Sequence, residues 1–197
     1  MDNMLEESKW LYKNLLNEKQ RQMIDKTILK LQDGDEEHLL SPLWEIDKEI
    51  GGIGGYNMPK NPLDNPFPGG IEREFFRPLQ YAACELERGI TYGCRYVVQY
   101  SGMHLEAVSR QYIINQQTLG TLRNFNSTLG KVTHKISSLR KLDPMVIEGM
   151  FKFVTLYNFS KHDVNQDDSR KRLFYPEDAL VAYIAARKIG RYLFSNT

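Results

Sequence analysis

Residues 71–116 carry apolar side chains at three- and four-residue spacing over a longer run than a domain of this size can hold straight. Phe75, Phe76, Leu79, Ala82, Ala83, Leu86 and Ile90 form one stripe, and Val97, Val98, Met103, Leu105, Val108, Tyr112 and Ile113 continue it. A straight helix over this run would exceed about 65 Å at 1.5 Å per residue, too long for a compact chain of 197 residues. The run must therefore bend, and Gly89, Gly93 and Ser101-Gly102 are the candidate positions.

The flanking segments have the same period. Over 2–32, Leu5, Leu11, Leu15, Leu16, Met23, Ile24, Ile28 and Leu31 predict one long amphipathic helix, stopped by Asp33-Gly34-Asp35. It packs on its own domain or on a partner. A short helix near Pro42–Ile50 follows. Half of residues 51–70 are Gly or Pro, which excludes regular structure there. No Lys-Ser/Thr pair follows these glycines, so they do not make a phosphate-binding loop. A tract of this length is either mobile or a lid. Residues 117–142 suggest one or two short helices, with His134 on the surface among lysines. Asp143-Pro144 opens a helix running to about His162, since Asp caps well and Pro at the first position loses no needed hydrogen bond. Pro176-Glu177-Asp178 opens the last helix, which continues through an alanine-rich stretch to Phe194. No segment alternates with the period of a strand. The fold class is all-α, an up-down helical bundle with a long N-terminal helix and an irregular Gly/Pro-rich loop.

Composition narrows the function. Charged residues make up 26% and hydrophobic ones 41%, with a net charge of +1, so attraction to a polyanion must come from local patches. No apolar run approaches the roughly 20 residues of a membrane span, and two thiols, Cys84 and Cys94, without a signal peptide suit a cytoplasmic location. Neither a bridge between them nor a zinc site among His38, His104, His134 and His162 is expected from the spacings. No metal or cofactor is implied.

The chemistry concentrates in Leu156-Tyr157-Asn158-Phe159-Ser160-Lys161-His162-Asp163. Asn158 and His162 are four apart and so neighbours on one helical face, with Thr155 extending the strip and Lys161 beside it. Glu106 is either the helix partner of Arg110 or, across a helix pair, the carboxylate that orients His162. Asn158 and His162 can equally satisfy backbone carbonyls and close the helix, where Lys161 and His162 suit the dipole. Arg170, Lys171 and Arg172 are candidate phosphate contacts or a solvated loop.

Together with Leu173-Phe174-Tyr175-Pro176-Glu177-Asp178-Ala179-Leu180-Val181-Ala182-Tyr183 and Arg187-Lys188-Ile189-Gly190, this stretch resembles the C-terminal part of HEPN-like helical domains of bacterial toxin–antitoxin and phage-defence systems. The likeness spans about residues 143–194, with Gly102-Met103-His104-Leu105-Glu106 resembling the partner helix. It implies residues 71–197 as the HEPN-like bundle and says nothing of residues 1–70, where periodicity and Gly/Pro content give an N-terminal helical segment over 1–50 and a loop over 51–70. It also implies metal-independent endoribonuclease chemistry, a homodimer with the site at a two-fold interface, and an antitoxin or defence-complex partner, with no membrane. The family signature is an Arg, a polar residue, three further residues and a His. Asn158 and His162 occupy the last two positions, and Tyr157 stands where the Arg belongs. RNA cleavage without metal needs a proton acceptor, a proton donor and a cation on the phosphate. The resemblance assigns acid/base work to His162 with Asn158 at the polar position; Lys161, or the basic run Arg170, Lys171 and Arg172, is the candidate substitute for the missing cation, and Glu106 the candidate orienter of the ring. The alternative is a catalytically silent interaction or regulatory subunit.

Overall fold

The computed structural model describes residues 3–34, 41–50, 71–117, 126–162 and 173–196, and these are helical with no strand among them. The elements are α1 (Glu6–Trp10), a π-helical turn (Leu11–Leu15), α2 (Glu18–Asp33), α3 (Ser41–Glu49), α4 (Ile71–Gln117), α5 (Leu129–Leu139), α6 (Pro144–Lys161) and α7 (Pro176–Ser195). The expected Gly/Pro-rich loop at 51–70 and the basic run Arg170–Arg172 lie outside the described residues.

The N-terminal run is not the single helix its periodicity predicts. It breaks at Leu16-Asn17, where Leu16 is extended and Asn17 starts a new helix. The Asn17 side chain accepts from the Gln20 N–H at 2.9 Å, and the Gln20 side chain accepts from the Asn17 N–H at 3.0 Å. This reciprocal cap satisfies donors that a new helix end would otherwise leave open. The apolar spacing survives the break because Leu11, Leu15, Leu16, Ile24 and Ile28 all reach the same core. Gly34 ends α2 in the left-handed conformation at φ +73°, as a helix-stopping glycine does.

Of the three candidate bends in the long run, only Gly89 turns the chain. At φ +153° and ψ 85° it folds α4 into a helical hairpin of two antiparallel arms. The Tyr81 and Tyr100 rings meet at 5.4 Å, and His104 Nδ1 lies 2.7 Å from the Phe75 carbonyl. In a straight helix these pairs would be about 28 and 43 Å apart. Gly93 and Ser101-Gly102 remain helical. At Gly93 a Cβ would stand 3.0 Å from the Glu85 carbonyl, so that glycine lets the two arms close. Cys84 and Cys94 fall on opposite arms and are both free. Met103, expected in the core stripe, is 45% exposed.

The middle of the bundle is α7. Every side chain from Ala179 through Arg187 is buried, so the helix is surrounded on all sides, mainly by the α4 hairpin. Its polar groups are paired accordingly: Arg187 Nε meets Asp47 Oδ1 of α3 at 2.6 Å, and the Tyr183 hydroxyl donates to the same carboxylate at 3.3 Å. The first-turn Asp178 is also buried. It accepts from the Tyr175 N–H and, across the fold, from the Leu5 N–H, both at 3.0 Å. The two contacts tie α1 to the start of α7. α5 and α6 pair as a second antiparallel hairpin, with the His134 and Phe151 rings 4.8 Å apart and Gly130 against Val154. Among the described residues, no helix is long and apolar enough to cross a membrane.

Candidate functional site

The C-terminal end of α6 is where the sequence-derived candidates collect. Asp143 opens the helix as expected, its carboxylate accepting from the Met145 N–H at 2.7 Å, with Pro144 first inside. Phe153, Leu156, Tyr157 and Ser160 turn inward and are buried, while Asn158 and Lys161 are exposed. Thr155 is half-buried and back-bonds to the Phe151 carbonyl at 3.3 Å. The helix ends at Lys161. His162 is its C-cap, extended at φ −114° and ψ 133°, with an exposed side chain. The strip from Thr155 through Asn158 therefore does not continue helically to the imidazole, which swings out at the terminus.

This terminus is clamped from the side by the second arm of α4. Arg95 Nε donates to the Ser160 carbonyl at 2.7 Å and its Nη2 donates to the His162 carbonyl. Gln99 Nε2 donates to the same Ser160 carbonyl. Last-turn carbonyls have no partner within their own helix, so Arg95 and Gln99 supply one. The His162 main chain is held while its ring stays accessible. Neither Arg95 nor Gln99 was singled out from sequence. A signal exists in hindsight: Arg95, Gln99, Gly102 and Glu106 recur at four, three and four residues, a polar and small stripe beside the apolar one.

One turn further along that stripe, Gly102 receives the ring of Tyr157 so closely that a Cβ would stand 2.2 Å from it. Lys161 lies over the same ring, its Nζ 3.6 Å from the centroid. Burial first, and the Glu106 carboxylate second, push the Tyr157 phenol up to about 12. The ring is thus neutral and serves packing. Burial also holds the Lys161 ammonium below its ordinary value, with Glu106 opposing.

Glu106 does not orient His162. One of its oxygens takes Arg110 Nη2 at 2.5 Å and the other takes the Leu129 N–H at 2.9 Å, at the first residue of α5. Arg110 in turn donates to the Ser127 carbonyl. Among the described residues no hydrogen bond joins Glu106 to His162, and the carboxylate acts as a cap shared between α4 and α5. Asn158, Lys161 and His162 thus share one exposed helix end, while Glu106, close enough to act on the Lys161 charge, is bonded to Arg110 and the start of α5. Arg170, Lys171 and Arg172 lie outside the described residues.

Residues 126–162 hold six basic and two acidic side chains, against a whole-chain net charge of +1. Lys131, His134, Arg140, Lys141 and Lys161 are exposed, making the α5–α6 hairpin a locally basic surface that ends at His162.

No family model, curated protein or solved structure matches this chain. The arrangement offers one accessible imidazole, a carboxamide one turn back, an ammonium beside it, and a guanidinium holding the main chain. Such a set can exchange a proton with a bound substrate and attract an anion.

Proposed function

We propose that this chain acts on RNA as a HEPN-like domain, with His162 as the acid/base group of a metal-independent endoribonuclease. The observation that carries the reading is the exposed imidazole on a main chain clamped by Arg95, at the end of a basic helical hairpin. In this chemistry the 2′-oxygen attacks phosphorus as a base removes its proton, and the P–O5′ bond breaks as an acid protonates the leaving oxygen. His162 takes the first proton. The pentacoordinate phosphate gains negative charge, and Lys161, exposed beside His162, is the cation to hold it, with the Asn158 amide one turn back as a donor. A second proton-transfer group comes from a second copy of the chain, whose own His162 faces the leaving oxygen across a two-fold axis.

A second reading is favoured by one observation. Tyr157, in the position where the resembled family carries Arg, is packed against Gly102 and remains a neutral core residue. This favours a domain that binds RNA or a defence-complex partner without cleaving.

The two readings separate on His162→Ala. The wild-type chain is expected to cleave single-stranded RNA in the presence of EDTA and to arrest growth when expressed. His162→Ala should lower the cleavage rate about a hundredfold or more and relieve the arrest. No cleavage by the wild-type protein supports the silent domain instead, and cleavage indifferent to the substitution removes His162 from the chemistry.

A further inference from the structure

A cleft of about 410 Å³ opens where the C-terminal half of α7 meets α2 and the end of α3, and no residue of α6 lines it. Its walls include Gln20, Glu49, Ile50, Lys188, Arg191 and Tyr192. The volume falls within the roughly 300–1,000 Å³ of small-molecule sites.

The cleft holds positive charge that the chain does not neutralise. Lys188 is half-buried, and its Nζ donates to two uncharged acceptors, the Leu15 carbonyl at 2.6 Å and Gln20 Oε1 at 3.4 Å. Arg191, one turn further along α7, is exposed and makes no side-chain hydrogen bond or ion pair among the described residues. Arg21 of α2 is a third cation, close enough to hold the Lys188 ammonium down, second to burial. Its own guanidinium donates to the Lys13 and Leu16 carbonyls. Glu49, the carboxylate in the lining, is taken by Lys19. Neither Lys188 nor Arg191 falls in the last turn of α7, where the helix dipole would favour a cation. Like charges gathered in a partly buried cleft repel, and an ammonium withdrawn from water without a counter-charge costs free energy. A bound anion removes both costs. The Arg191 fork suits two oxygens of one group, and Lys188 adds a point charge beside it. Ile50 and Tyr192, both partly buried, give the cleft an apolar wall next to these cations.

We infer that this cleft binds a small phosphate monoester, its phosphate held between Lys188 and Arg191 and its carbon portion against Ile50 and Tyr192. A dianion answers two cations where a monoanion leaves one unpaired. The site is separate from the RNA-directed reading, which uses none of these residues.

The test titrates the full chain with phenyl phosphate by calorimetry at constant ionic strength and about pH 8, where a phosphate monoester carries two charges. Binding at millimolar concentration or tighter is expected, and acetate, a monoanion, should give none. Arg191→Gln should weaken binding about tenfold. That side chain has no partner to lose, so the variant should keep wild-type thermal stability without ligand. Arg88→Gln removes the same charge from an exposed position beside the Gly89 bend and should keep wild-type affinity. No binding of millimolar phenyl phosphate overturns the site, as does unchanged affinity in Arg191→Gln. Equal weakening by Arg88→Gln also overturns it, because the attraction would then belong to net charge and not to the cleft. Tighter binding of succinate than of phenyl phosphate gives the cleft to a dicarboxylate and overturns the phosphate assignment.

Discussion

Tyr157 and Gly102 show how one position decides what its neighbours can do. A tyrosine ring needs a flat seat to be buried, and only a residue without Cβ provides it here. Gly102→Ala places a methyl 2.2 Å from the ring, so the ring or the helices must shift to admit it. Overpacking of this kind costs about 1–3 kcal/mol, so the urea midpoint of Gly102→Ala should fall while its far-UV dichroism stays wild-type. An unchanged midpoint would mean that the ring has another place to go. At this scale the sequence was a partial guide. It marked Asn158, Lys161 and His162, which do share an exposed end. It also offered Glu106 as their orienter, and that expectation fails because a carboxylate near an open helix N-terminus and an arginine finds both at lower cost.

Among the elements, the α4 hairpin organises the rest. Its second arm holds the end of α6 through Arg95 and Gln99, caps α5 through Glu106, and encloses α7 together with the first arm. All of this depends on Gly89, whose φ of +153° an L side chain rarely adopts. Gly89→Ala is expected to destabilise the protein by about 1–3 kcal/mol, measured by denaturant unfolding. The added methyl meets nothing closer than the Tyr92 ring at 3.8 Å, so the effect isolates backbone strain from crowding. Apolar periodicity located this element and length alone required it to bend. It did not choose among the glycines, because Gly93 and Gly102 are there for close approach, and sequence presents both uses alike. The N-terminal run fails in the complementary way: a capping box at Asn17 interrupts the helix without interrupting the apolar spacing.

On the scale of the described fold, the helices enclose α7, and one group buried beside it makes stability depend on pH. His104 is fully buried, its Nδ1–H donating to the Phe75 carbonyl and its Nε2 facing Gly190 without a hydrogen-bond partner. Burial holds its pKa down to about 3 against an ordinary 6.5, the Phe75 bond opposing and the Arg187 charge adding to the depression. As pH falls through 6.5 the unfolded chain takes up a proton there and the folded chain does not. The associated stability is complete above about pH 6.5 and is lost progressively toward pH 3. Between about pH 6.5 and 5 most carboxylates stay ionised, so His104 contributes a slope of at most about 1.4 kcal/mol per pH unit in that window. His104→Asn keeps a donor for the Phe75 carbonyl and removes the titration. Its urea midpoint should therefore fall less than that of wild type between pH 7 and 5. Parallel curves would show that the ring reaches solvent.

Sequence by itself determined that this chain is all-helical, where α3, α6 and α7 begin, and that the end of α6 presents an amide, an ammonium and an imidazole. These follow from periodicity, caps and proline positions, which act over a few residues and are written locally. Tertiary structure alone decided which glycine folds the long helix, that Tyr157 is core and Glu106 a cap, and that Arg95 holds the main chain of His162. Those outcomes depend on which faces meet across the fold. Contacts between residues 65 or 67 positions apart leave no periodic trace in the chain.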